Sequence, residues 1–303
     1  MLTPFHLRDL LVEPGAHPRK QAHLSATSGL VRAGQWLYVV SDDEHHLGIF
    51  DADGKPTNPV HLHRVLAGDL PSDKGKRKRL KPDLEALAKL PATADYPHGA
   101  LLALGSGSRP NRQRGWRIGL HSLGLPAEAP VRVDLADWYR PLRSKFPDLN
   151  IEGAFAVDDS FLLLQRGNKG SVVNASIEYS LKELHDWLAG RRHQPPLALS
   201  IKQLDLGAIA GVPLGFTDGA ALPGGGWIFS AVAEDTEDSF NDGPCAGSAI
   251  GWVGSDGQLQ RLEPLAGCPK VEGIALVDAR RLLMVTDSDD PAIASQLLAV
   301  DLA

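Results

Sequence analysis

The chain has 303 residues, 43% of them hydrophobic, and a formal net charge of -6. That is ample apolar material for a large core, and the acidic balance argues against nucleic acid as a partner. No run of about 18 apolar residues occurs, so no helical membrane span is expected. The first twenty residues lack the basic, apolar and small-residue zones of a signal peptide. Cys245 and Cys268 make no disulfide framework. A cytoplasmic protein with two unpaired thiols is therefore expected. The 31 glycines and 22 prolines favour a turn-rich fold over a helical one.

In chain order, a first unit, ATSGLVRAGQWLYVVSD (26–42), reads as strand, turn and strand. The basic run DKGKRKRLK (73–81) reads as a solvated connection. PDLEALAKL (82–90) opens a second unit, and NIEGAFAVDDSFLLLQRG (150–167) a third. Within the third, SLKELHDWLAG is read as a short helix. Ser180 and Glu183 have capping-box spacing, and Leu181, Leu184 and Leu188 share one face. FTDGAALPGGGWIFSAV (216–232) begins a fourth unit, whose glycines suit a hairpin turn rather than a phosphate loop. KVEGIALVDARRLL (270–283) begins a fifth.

Ser28, Glu85, Glu152, Asp218 and Glu272 occupy the same place in these units. Their spacings are 57, 67, 66 and 54 residues, and 59 counted around the termini. A long fixed period of short strands signals a repeat architecture, and four-stranded blades around a central channel fit it. The expectation is an all-β fold, a five-bladed β-propeller forming a single domain, with blades at about 24–70, 82–137, 150–207, 216–265 and 270–303. The last unit shows three clear strands, so an N-terminal strand at 4–12 is expected to close it.

In a propeller the first strand of each blade lines the channel, so one hydroxyl and four carboxylates would converge on the axis. Like charges there repel strongly unless compensated. A hard divalent cation such as calcium (Ca2+), which takes six to eight oxygen ligands, would compensate them. The loops after each second strand would lie on the same face. They carry Asp42 and Asp43, Ser106 and Arg109, Arg166 and Lys169, Glu234, and Asp287. Arginine forks suit phosphate or carboxylate, so Ser106, Arg109, Arg166, Lys169 and Glu234 are candidate substrate contacts for an anionic small molecule. Asp42, Asp43 and Asp287 are candidate groups to orient or deprotonate water. Two other readings stay open: a non-catalytic propeller binding a protein or sugar with calcium purely structural, and a glycoside hydrolase using paired channel acids.

The order Ser, Glu, Glu, Asp, Glu around five blades resembles the calcium-activated nucleotidases, the apyrases of the five-bladed propeller class. TSGLVRAGQWLYVVSDD looks like their first blade and KVEGIALV like their last inner strand. The resemblance implies one axial calcium held by Ser28, Glu85, Glu152 and Glu272, and hydrolysis of phosphate esters or anhydrides. Asp218 departs from it, since those enzymes place Ser there. GSGSR (105–109) is similar to a stretch in bacterial phytase-like and uncharacterised propeller proteins.

Overall fold

The computed structural model describes residues 1–237 and 243–302. Among them five antiparallel sheets follow one another along the chain. Blade 1 pairs Thr27–Ala33, Trp36–Ser41, His46–Asp51 and His61–Arg64 in order from the inside out. Blade 2 runs from Leu84–Leu90 to Val131–Asp134, and blade 3 from Ile151–Val157 to Ser200–Leu204. Blade 4 extends from Val212–Ala221 to Leu259–Pro264, with the short strand Ala208–Ile209 added beside its inner strand. Blade 5 holds Val271–Asp278, Arg281–Thr286 and Gln296–Asp301. Its fourth, outermost strand is Phe5–Asp9, which pairs with the last strand of the chain. The molecule is a five-bladed β-propeller closed by its N-terminal strand.

The core is divided among the blade interfaces. One buried apolar cluster fills each of the five contacts between neighbouring blades. A buried Leu or Phe is worth about 1.5–3 kcal/mol, so the ring gains most of its stability between sheets. Three short helices sit in the connections: α1 (Lys74–Leu80), α2 (Ala136–Arg143) and α3 (Leu181–Leu188). The Ser180 hydroxyl caps α3 by accepting the Glu183 N–H, and Leu181, Leu184 and Leu188 are buried. Trp138 on α2 is 1% exposed and meets Tyr179 edge-on at 5.1 Å, sealing blades 2 and 3.

The inner strands approach each other closely. A Cβ on Gly273 would stand 2.1 Å from the carbonyl oxygen of Ser28, so only glycine fits where blade 5 meets blade 1. Each inner strand also breaks register against its neighbour at the repeat position. The skipped residues are Ser28–Gly29, Glu85, Glu152, Thr217 and Glu272. Such bulges re-aim a side chain out of the normal alternation. In blade 4 the bulged residue is Thr217, and Asp218 pairs normally with Ser230. The expected equivalence of Asp218 with the other four is therefore shifted by one residue, which turns its side chain to the other face.

A charged funnel at one end of the channel

The bulges and the loops after the second strands open into one funnel of about 130 Å³. Its described lining carries ten carboxylates and seven cationic side chains, so the site is short of positive charge. Ser28, Glu85, Glu152, Glu272, Asp42, Asp43, Asp287, Arg166 and Glu234 all line it.

Four expected residues lie elsewhere. The Asp218 carboxylate is 1% exposed and accepts the backbone N–H groups of Ile274 at 2.9 Å, Gly219 at 2.8 Å and Leu30 at 3.4 Å. It stitches three inner strands together instead of facing the axis, and burial pushes its pKa well up against those donors. Ser106 is fully buried and donates to Asp83 at 2.5 Å. Arg109 is exposed at the start of the 3-10 turn Pro110–Arg112, and that turn sends Arg112 inward in its place. Lys169 stands on the rim, paired with Asp235 at 2.7 Å and Glu237 at 3.3 Å.

On the side of blades 3 to 5 the acids have cationic partners from the protein itself. Arg166 reaches Glu152 at 3.2 Å, Glu234 at 2.6 Å and Glu272 at 3.7 Å. Lys270 reaches Asp289 at 2.7 Å, Glu234 at 3.2 Å and Glu272 at 3.6 Å. Burial still pushes Glu272 up to about 8, against the pull of Arg166 and Lys270. The five repeat residues are therefore not equivalent: Asp218 is turned away from the funnel, while Glu152 and Glu272 stand against Arg166 and Lys270.

On the side of blades 1 and 2 the balance differs. Carboxylate oxygens of Asp42, Asp83 and Glu85 lie within 4.8 Å of one another. Lys81 pairs with Asp42 and with Asp83, the latter at 2.9 Å, and Arg112 reaches Asp83 at 2.8 Å. Burial raises Asp83, but Lys81 and Arg112 outweigh it and its pKa ends below the usual value. Burial brings Asp42 up to about 6 against Lys81, with Asp43 and Asp83 adding to the rise. Glu85 makes no hydrogen bond or ion pair among the described residues. Burial first, then Glu152, Asp83 and Asp42, push its pKa well above the usual glutamate value, with Lys81 opposing. Asp43 is occupied elsewhere, held by Arg77 at 2.8 Å and Arg19 at 3.3 Å, so it braces the loop. Asp287 is raised mainly by burial, with Lys270 opposing.

The run 73–81, expected to be a solvated connection, is α1. Asp73 caps it, and it carries Arg77 and Lys81 into the funnel at 6% and 8% exposure. Asp83, Asn150 and Lys270 were also not foreseen as site residues. Each stands two positions before a bulged acid, where strand alternation sends both side chains the same way; that spacing is the signal that would have found them. Cys245 is half-buried and Cys268 exposed, both free. Among the described residues no helix is long and apolar enough to cross a membrane.

A family model described as a family of unknown function (DUF6929) matches residues 23–302. No curated protein matches the chain. Among solved structures, the chain is similar at 10% identity to a glutaminyl cyclase of Myxococcus xanthus, covering 100% of this chain and 98% of that one with a TM-score of 0.45. It is similar at 9% identity to the WD40 β-propeller domain of Doa1, covering 100% and 97%, TM-score 0.40. It is similar at 11% identity to the tail fibre of Staphylococcus aureus phage P68, covering 99% and 53%, TM-score 0.46.

Proposed function

The chain belongs to this family of unknown function, and from its funnel we propose a calcium-binding propeller that takes a phosphorylated or otherwise anionic small molecule. The observation that carries the reading is Glu85, a carboxylate in the funnel wall without a donor, beside the oxygens of Asp42 and Asp83. Glu85 is half-buried at the funnel surface, and a carboxylate crowded by other acids needs a proton or a cation. Three carboxylates and the Ser28 hydroxyl form a hard-oxygen set, which favours calcium over softer metals.

Glu85, Asp83, Asp42 and Ser28 would hold the ion, off the axis rather than on it. When bound, the ion supplies charge for polarising a phosphoryl oxygen. Arg112 keeps Asp83 oriented, and α1 brings Lys78 to the funnel for the anion. Asp287, whose pKa burial raises well above the usual aspartate value, is the candidate to carry a proton at the reacting oxygen, so hydrolysis of a phosphate ester is the finer expectation.

The test pairs melting temperature, with calcium and with a chelator, with phosphate release from nucleotides and sugar phosphates. A calcium-dependent rise that disappears in Glu85→Gln supports the reading, and no response of the wild type to any divalent ion sinks it. A second reading, a non-catalytic propeller with structural calcium, is favoured by the ion pairs that already occupy Arg166 and Lys270. Calcium stabilisation without phosphate release from any substrate would select it.

A further inference from the structure

Lys81 closes helix α1. Its backbone N–H donates to the carbonyl of Arg77 at 2.7 Å, and its own carbonyl accepts from the Asn111 side chain at 3.1 Å. The main chain is thus pinned on both sides. The side chain is 10% exposed, and its ammonium sits on Asp42 and Asp83. A buried cation therefore already stands at the three-carboxylate cluster. The match is incomplete: with Arg112 on Asp83, two charges face three acids, and neither bonds Glu85.

A second observation points to a missing ligand. The Ser28 side chain is 6% exposed, lines the same funnel and has no hydrogen-bond partner among the described residues. Its strand lies against that of Glu85, since a Cβ on the adjacent Gly29 would touch the backbone of Ala86 and Leu87. An unpaired hydroxyl and an unpaired carboxylate on neighbouring strands are two oxygen ligands without a partner.

Building on the calcium reading, we infer that Lys81 is an internal counter-ion that occupies the divalent-cation site and is displaced when the ion enters. A divalent ion brings twice the charge and uses Glu85 and Ser28 as well. The ammonium rides on a flexible four-carbon stem, so it leaves the cluster without any movement of the pinned backbone. It stays inside the funnel beside the bound ion, where it becomes a contact for the anion. The cation thus binds first and creates part of the anion site.

The experiment is calorimetric titration of calcium chloride into the metal-free full chain, with no other ligand. Lys81→Met is expected to tighten calcium binding about tenfold or more, and Lys81→Arg to stay within about threefold of wild type. Lys74→Met removes the same charge from the mouth of the same funnel and is expected to change affinity less than about threefold. Equal tightening in Lys74→Met and Lys81→Met means funnel-wide electrostatics and overturns the inference. Unchanged affinity in Lys81→Met, with a wild type that binds, overturns it too and leaves the calcium reading standing. A silent wild type with a binding Lys81→Met overturns the displacement, and the calcium reading of the wild type with it, because the lysine then keeps the ion out. Binding by neither defeats both. Should Lys81→Met not fold without metal, Lys81→Gln, which keeps a donor but not the charge, is read in the same way.

Discussion

Glu85 and Glu272 occupy equivalent bulges in blades 2 and 5, yet they live in different surroundings. Glu272 has two cations of the protein within 3.7 Å, Arg166 and Lys270. Glu85 has none, and the nearest ammonium is spent on Asp42 and Asp83. The same repeated acid thus stands within reach of two protein cations on one side of the funnel and has none within 4 Å on the other. The difference teaches that a repeated residue in a propeller need not repeat its role, because the role depends on what the neighbouring loops deliver.

Removing the central guanidinium should break the comparison hardest. Arg166→Met leaves Glu152, Glu234 and Glu272 without their shared cation, and a loss of about 3–5 kcal/mol is expected in urea unfolding. A loss below about 1 kcal/mol would mean that these acids do not depend on Arg166, and would return the axis to a metal.

Glu272→Gln is next. The folded protein holds the Glu272 proton up to about 8, whereas the unfolded chain releases it near 4.5. Wild-type stability therefore falls as pH rises between those values and levels off above them. The variant escapes that loss, so it should match wild type near the lower end and exceed it above the upper end by at most about 5 kcal/mol. A difference that does not change with pH would show that Glu272 is ionised in the fold throughout.

Arg112→Gln should cost about 2–3 kcal/mol by leaving Asp83 with one buried partner fewer. Metal-free Glu85→Gln should stay within about 1 kcal/mol of wild type, since no protein donor is lost, but should lose the calcium-induced rise in melting temperature. Arg109→Gln, on the exposed side of the same loop as Arg112, should change stability by less than about 0.5 kcal/mol. A large effect there would bring Arg109 back into the site.

Much of the funnel was legible in the chain because acids in otherwise apolar strands stand out, and because strand alternation puts the end of each second strand near the start of the first. Asp218 was misjudged for a reason that periodicity cannot detect. A bulge inserts one residue, here Thr217, and the aspartate that looks equivalent is rotated into the backbone of three strands. Lys81 and Arg77 were misjudged because a run of basic residues has the composition of a solvated segment, and only the hold of Asp43, Asn111 and Arg112 on α1 places them in the funnel wall. Arg109 and Arg112 differ by a single 3-10 turn, below the resolution of any spacing argument.

By itself the sequence determined the architecture. Five units of similar length, each with short apolar strands, turn residues and a polar residue in the first strand, have few ways to bury their faces other than a closed ring. It also determined that acids gather at one end of the channel. The tertiary structure alone decided which acids are paired and which are not. Ion pairs such as Arg166 with Glu234, 68 positions apart, or Lys81 with Asp42, 39 apart, depend on distances of a few ångströms. Those distances are set by the docking of blades and loops, and no local pattern encodes them.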